Sequence, residues 1–162
     1  LEVQRDTYKY LHDQTVRLFN QGLTPGEIAE QLELPASLQT AFHNRGYYGT
    51  TRHNARAVYQ GYLGWYDGNP ANLKPALDSS LAAELSTLAG GALRLAERAA
   101  ELKDDDPRLA CHLVELAAQA APDDLRVHEL RAEVYQARRS QETSLMAKGI
   151  FGSASNESKA KL

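Results

Sequence analysis

Arginine, histidine, tyrosine and asparagine side chains gather in one stretch of the sequence that contains no acidic residue. The stretch lies between Glu33 and Asp67 and holds three arginines, two histidines, five tyrosines and a tryptophan. Guanidinium forks, imidazoles, phenol hydroxyls and amides are the groups that bind sulfate, phosphate or carboxylate. The stretch therefore predicts an anion-binding surface. The alternative is that the tyrosines are half-buried packing residues and the arginines are simply solvated.

Five residues of the acid-free stretch are the candidates for direct contact with a ligand. Gly46 and Gly49 lie among them and would let the backbone approach a ligand closely. The candidates are Arg45, Tyr47, Tyr48, His53 and Asn54.

Other reactive residue types are scattered. His12 and Asp13 could form a base and its orienting acid, but neighbours on a helix point to different sides, so a structural hydrogen bond is expected for His12. Cys111 is expected to be a small core residue, and His128 is isolated. No HxHxDH motif, cysteine pair, nucleophile elbow or phosphate loop is present. The chain by itself is therefore predicted to hold no catalytic residue, metal or other cofactor.

Composition excludes several classes of protein. The 162 residues are 43% hydrophobic and 24% charged, with a net charge of −3. Without a broad basic excess, nucleic acid is not the expected partner. A single cysteine rules out an internal disulfide, and no apolar run is long enough to span a membrane. Because the sequence opens in the middle of a helical pattern, we expect it to be a piece of a longer protein.

Helical periodicity runs through the sequence, and no segment alternates like a strand. The first helix is predicted over residues 4–21. Thr24 and Glu27 form a capping box for the next helix, and Asn54 is predicted to cap a helix that runs to about Tyr66. Acidic residues before Pro107 and after Pro122 mark two later helix starts. The predicted fold class is all-α.

The two halves of the chain differ in chemistry. Ten of the twelve aromatic residues lie in residues 1–66. Turn-forming residues over 67–78 predict a hinge loop, and residues 79–150 are rich in alanine and leucine. Their helical hairpins suggest about one and a half tetratricopeptide-like repeats, where about three are needed for a free-standing solenoid. This part should therefore pack on other protein. Residues 151–162 offer little to bury and are predicted to be a flexible tail.

Several strings of this sequence resemble one family closely. RDTYKYLHDQT at 5–15 is similar to the opening of the dimerisation domain of bacterial alkylsulfatases. RGYYGT at 45–50, the pair His53-Asn54, AVYQ at 57–60 and YLGWYDGNPA at 62–71 resemble the same domain in the same order. The resemblance is specific over residues 3–73 and looser to about residue 138. It identifies residues 1–150 as a helical dimerisation domain of this family.

The resemblance implies a partner domain that this sequence lacks. Enzymes of this family carry a metallo-β-lactamase-like domain with two zinc ions before the helical domain, and they hydrolyse alkyl sulfate esters. The expected partners are therefore a second copy of this chain, that catalytic domain and an alkyl sulfate substrate. The zinc pair would belong to the missing domain, and the chain alone would not be an enzyme.

The same resemblance gives the acid-free stretch a role. It implies that Arg45, Tyr47, Tyr48, His53 and Asn54 line the sulfate or alkyl pocket, with His53 bonded to the sulfate or its leaving oxygen. Locking the loop onto the catalytic domain is the competing role. Arg52 stands where family members often have serine. A second interpretation of the whole sequence is a free-standing tetratricopeptide-like module that binds a partner protein.

Overall fold

The computed structural model describes all 162 residues, and they form helices without any strand, which confirms the all-α prediction. No helix is both long and apolar enough to cross a membrane. Short 3-10 turns occupy Phe42–Asn44 and Pro70–Leu73. The nine α-helices are α1 (Glu2–Asn20), α2 (Pro25–Gln31), α3 (Ala36–Gln39), α4 (Thr51–Leu63), α5 (Asp78–Ala89), α6 (Ala92–Leu102), α7 (Pro107–Ala120), α8 (Leu125–Gln141) and α9 (Leu145–Lys159).

The chain divides into two units, each with its own core. The first unit is Leu1–Lys74 and the second is Pro75–Leu162, so the division falls within residues 67–78. The core of the first unit joins α1, α2 and α4 through five buried side chains. These are Leu11, Leu18, Ile28, Leu32 and Ala55.

The start of α2 follows from local sequence alone. The Thr24 hydroxyl accepts a hydrogen bond from the Glu27 N–H at 3.3 Å, and the Glu27 carboxylate accepts one from the Thr24 N–H at 2.8 Å. This reciprocal pair is the predicted capping box, which satisfies two amide groups that the helix cannot pair. The hydrogen bonds from Thr24, from its backbone first and then its hydroxyl, lower the pKa of Glu27.

Small residues let the helices of the second unit pack closely. Alanine side chains that are fully buried face Val114 and Val127 where α6, α7 and α8 meet. Successive helices contact one another from α5 to α9. The loops between them are short, which is typical of helical hairpins. Residues 75–162 therefore form one unit of helical hairpins.

The flexible tail predicted for residues 151–162 is wrong. Helix α9 continues to Lys159, and the side chains of Ser155 and Ser158 are completely buried. The Ser155 hydroxyl donates to the Ala132 carbonyl of α8 at 2.9 Å. A serine hydroxyl that finds such a partner can be buried at little cost. The small serines therefore give α9 a packing face that apolar content does not reveal.

A buried ionic network joins α7, α8 and α9. Two nitrogens of the Arg131 guanidinium, Nε and Nη2, each donate to the Glu115 carboxylate at 3.1 Å. The third, Nη1, donates to the Ala154 carbonyl at 2.8 Å and to the Ser158 hydroxyl at 2.9 Å. Tyr135 donates its hydroxyl to Glu115 at 2.7 Å. Burial, and then this hydrogen bond, raise the pKa of the Tyr135 phenol.

His128 extends the same network, so the prediction that it stands alone is wrong. Its Nε2 lies 2.8 Å from the Pro122 carbonyl, which can only accept a hydrogen bond. Nε2 therefore carries the proton, and Nδ1 accepts from the Ser158 hydroxyl at 3.1 Å. Ser158 thus links His128 to Arg131.

Candidate functional site

The segment between α3 and α4 carries three of the five candidate residues, and one side chain anchors it to α1. The amide of Asn44 donates to the Thr7 hydroxyl at 2.6 Å and to the Leu38 carbonyl at 3.2 Å. Asn44 ends the short 3-10 turn that leads into Arg45. The candidate segment therefore starts from a fixed point.

A tight turn at Gly46 sets the direction of the segment. The Tyr47 N–H donates to the Arg45 carbonyl at 2.8 Å across this glycine, which is the pattern of a γ-turn. A Cβ atom at position 46 would lie only 2.7 Å from the Gly49 carbonyl oxygen and 3.4 Å from the Thr50 Cα. Both neighbours are backbone atoms, so the turn has room for glycine alone.

The turn brings Arg45 and Tyr47 together on an exposed phenylalanine. The Arg45 guanidinium lies 5.8 Å from the centre of the Phe42 ring, within the range of a cation–π contact. The Tyr47 ring packs on Phe42 at 5.4 Å between centroids. Phe42 is mostly exposed, and it is not among the five candidates identified from the sequence. Its position three residues before Arg45 is the feature of the sequence that could have indicated this contact.

The beginning of α4 differs from the prediction that Asn54 caps it. Thr50 is the cap, and its hydroxyl accepts from the His53 N–H at 3.4 Å. The helix also ends at Leu63 rather than about Tyr66, because Gly64 takes a left-handed φ of 77°. A threonine immediately before the first helical residue is the better placed capping group. Asn54 is therefore an exposed residue of the first turn.

The candidates do not form one cluster within this chain. His53 is exposed in the first turn of α4, and its side chain makes no hydrogen bond or ring contact with Arg45 or Tyr47. Tyr48 is exposed as well. A shallow cavity of about 250 Å³ lies in the same unit between α1 and α2, and none of the five candidates lines it. These five exposed residues, which we call the candidate surface, therefore do not line that cavity.

The positive field of the acid-free stretch is weaker than its sequence suggests. The Arg52 guanidinium pairs with the Glu30 carboxylate of α2 at 3.1 Å, although no acid lies near Arg52 in sequence. Arg45 makes no such ion pair, and its partner is the ring of Phe42. Arg45 is the one arginine among the five candidates, and its charge therefore remains available to an anion.

The described residues do not provide a metal site. No group of three or more histidine, cysteine, aspartate or glutamate side chains is arranged to hold an ion anywhere in residues 1–162. Cys111 is partly buried against the core of the second unit, and burial raises the pKa of its thiol to about 11. A thiol that stays protonated at neutral pH is a poor nucleophile and a poor metal ligand.

Comparisons with known sequences agree on one family of proteins. A family model described as alkyl sulfatase dimerisation matches residues 24–161. An alkyl/aryl-sulfatase of Saccharomyces cerevisiae is 44% identical over 137 residues, which cover 84% of this chain and 21% of that protein. A linear primary-alkylsulfatase of a Pseudomonas species is 39% identical over 137 residues, covering 84% of this chain and 20% of that protein. The chain thus spans about a fifth of the length of these relatives.

A solved structure has the same fold. The stereoselective inverting sec-alkylsulfatase Pisa1 from Pseudomonas matches 99% of this chain with a TM-score of 0.92 and 32% sequence identity, and the match covers 26% of that protein. The match therefore extends through both units of this chain, while the sequence model covers 138 residues from 24 to 161. This chain belongs to the alkyl sulfatase dimerisation family.

Proposed function

We propose that this chain pairs two subunits of a zinc-dependent alkyl sulfate ester hydrolase and completes the substrate site of each. The match of residues 24–161 to the dimerisation family is the observation that carries the proposal. The two relatives are named as an alkyl/aryl-sulfatase and a linear primary-alkylsulfatase. These names belong to the whole proteins, of which this chain spans about a fifth. The division into two units suggests that the two tasks are separate.

The second unit supplies the pairing surface in this proposal. Leu77, Leu81 and Leu88 are each more than half exposed. Leu81 and Leu88 are seven residues apart, so they share one face of α5, and Leu77 immediately precedes its first residue. Exposed leucines in a row are unfavourable in water and typical of a surface that is covered by a partner. A second copy of the chain is the partner that the family description supports.

The isolated chain is expected to be a homodimer at micromolar concentration. A stable interface would bury roughly 1,200–2,000 Å² in total, and the leucine face of α5 would lie within it. Light scattering should give a mass of twice 17.9 kDa. A single species of 17.9 kDa at that concentration would contradict the pairing role.

A charge in the leucine face should break the dimer. Leu81→Glu places a carboxylate in the proposed interface, so the dimer is expected to dissociate to monomer. Ala83→Glu is the matched control, because Ala83 is exposed on the same helix but points away from Leu77 and Leu88. If both variants stay dimeric, another surface makes the pair.

The first unit supplies the surface toward the catalytic domain. Arg45, on the Phe42 ring, is a guanidinium without an acidic partner, and such a group suits a sulfate monoanion. Tyr47 and Tyr48 offer hydroxyls to the sulfate or ring faces to the alkyl chain. His53 and Asn54 offer a further donor and an amide from the first turn of α4. The surface lacks walls of its own, and a metallo-β-lactamase-like domain against it would close the pocket.

The zinc pair is assigned to that catalytic domain and not to this chain. Residues 1–162 contain no group of three or more histidine, cysteine, aspartate or glutamate side chains arranged to hold an ion. Zinc bound in the catalytic domain would supply an activated water. The residues of this chain would hold and orient the substrate.

The isolated chain is expected to release no sulfate from dodecyl sulfate, with or without added zinc. The chain has no ligand set that could lower the pKa of a metal-bound water. Ion chromatography of inorganic sulfate, compared with a heat-inactivated sample, is the measurement. Sulfate release above that control by the pure chain would contradict the assignment.

A further inference from the structure

Asp13, His12 and Tyr62 form a hydrogen-bonded row that connects α1 with the last turn of α4. The Asp13 carboxylate oxygen Oδ1 lies 3.0 Å from Nδ1 of His12. The other ring nitrogen of His12, Nε2, lies 2.8 Å from the Tyr62 hydroxyl. The expectation that His12 and Asp13 point to different sides of the helix is therefore wrong. The predicted hydrogen bond of His12 is present, and there are two of them.

The protons of this row follow from the charge on Asp13. Its second carboxylate oxygen, Oδ2, accepts from the Lys9 ammonium at 2.5 Å. The hydrogen bonds from Lys9 and then from His12 lower the pKa of Asp13, so its carboxylate is ionised at neutral pH. An ionised carboxylate only accepts hydrogen bonds. His12 Nδ1 therefore donates to Asp13, which leaves Nε2 as the nitrogen that can accept the Tyr62 proton.

Ring packing holds the Tyr62 hydroxyl in this position. The Tyr62 ring packs on Phe19 at 5.7 Å and on the imidazole of His12 at 5.6 Å between centroids. Phe19 lies seven residues after His12 on α1, so the two side chains share one face of that helix. Tyr62 is nevertheless 59% exposed. More than half of the residue is therefore open to solvent.

We propose that Asp13, His12 and Tyr62 form a nucleophilic site, in which the Tyr62 oxygen attacks neutral sulfur(VI) electrophiles. A nucleophile bonded to a base that is itself oriented by a third group is the arrangement that activates hydroxyls in enzymes. With a sulfonyl fluoride, the Tyr62 O–S bond forms and the S–F bond breaks. Fluoride leaves, and the phenol proton passes to His12 Nε2. The ionised Asp13 stabilises the resulting imidazolium.

Labelling with benzenesulfonyl fluoride tests this proposal on the 162-residue chain. The rate of sulfonylation of each tyrosine is measured by mass spectrometry of peptides. Tyr8 is the internal reference, because it is 66% exposed and so more accessible than Tyr62. Tyr62 is expected to react at least about tenfold faster than Tyr8, since a positioned base typically contributes about 10²–10⁴-fold. Equal or slower labelling of Tyr62 would overturn the proposal.

Two variants connect the reactivity to its cause. His12→Gln keeps a hydrogen-bonding side chain but removes the base, so the Tyr62 rate should fall to that of Tyr8. Asp13→Asn should lower it by about tenfold, because the imidazolium loses its charge partner. Tyr8→Phe is the control and should leave the Tyr62 rate unchanged. Circular dichroism checks that each variant is folded, and an unchanged Tyr62 rate in folded His12→Gln would refute the role of His12. The proposal is independent of the pairing and sulfatase assignments.

Discussion

Replacing Arg131 by alanine is expected to lower the free energy of unfolding by about 3 kcal/mol, because breaking a buried ion pair leaves its partners without their hydrogen bonds. The side chain of Arg131 is only 9% exposed. Glu115 would lose two hydrogen bonds, and the Ala154 carbonyl and Ser158 hydroxyl would each lose one. Since Ala154 and Ser158 belong to α9, this helix should loosen first. Urea unfolding followed by circular dichroism measures the loss.

Arg126→Ala is the matched control for this prediction. Arg126 lies on the same helix and pairs with Glu129, but its side chain is 62% exposed. Exposed ion pairs contribute about 0–1 kcal/mol, so the control should unfold almost as the parent does. If both variants lose the same amount, the network around Arg131 does not stabilise the chain beyond an ordinary surface pair.

His53→Ala, made in the longer enzyme to which we assign this chain, is expected to reduce turnover of alkyl sulfates by about 10²–10⁴-fold, as loss of a positioned proton donor does. The side chain of His53 is exposed and makes no hydrogen bond within the chain. Its removal therefore costs the fold little, within about 0.5 kcal/mol. Steady-state kinetics and thermal unfolding of the same preparation measure the two quantities.

His43→Ala serves as the comparison for His53. His43 is the other histidine of the acid-free stretch and is also exposed, but it lies outside the proposed surface. Its variant should keep normal turnover. Nearly normal turnover of His53→Ala together with a large loss of stability would assign His53 to locking the loop instead of to the substrate.

Helix starts were predictable because a helix cap is a local structure. Thr24 begins α2 as predicted, and the carboxylates of Asp106 and Asp124 begin α7 and α8 by accepting backbone N–H groups of the first turn. Each cap depends on residues within three positions of one another, and such patterns are written in the sequence. Thr50 was missed only because Asn54 is a second capping residue close by.

Buried polar contacts between helices were not predictable in the same way. Ser155 and Ser158 look like solvent-facing residues until Ala132 and Arg131 of α8 are placed against them. The partner of Arg52 in space, Glu30, lies twenty-two residues earlier in the chain. Side-chain pairing across elements depends on tertiary packing, which neither periodicity nor composition encodes.

The candidate surface was predictable by residue type but not by arrangement. Arg45 and Tyr47 were identified from their chemistry, yet the ring that holds them together is Phe42. His53 belongs to the same stretch of sequence, but its side chain makes no hydrogen bond or ring contact with them. A list of anion-binding residue types therefore marks the segment, and only the backbone decides which of them meet.

The closed turn at residue 46 limits how this segment can evolve. Every amino-acid replacement of a glycine adds at least one β-carbon, and here that carbon would lie 2.7 Å from the Gly49 carbonyl oxygen. The clash is with backbone, so no change in a neighbouring side chain can compensate for it. Codon 46 is consequently open to silent mutation alone unless the loop from residue 46 to residue 50 is rebuilt.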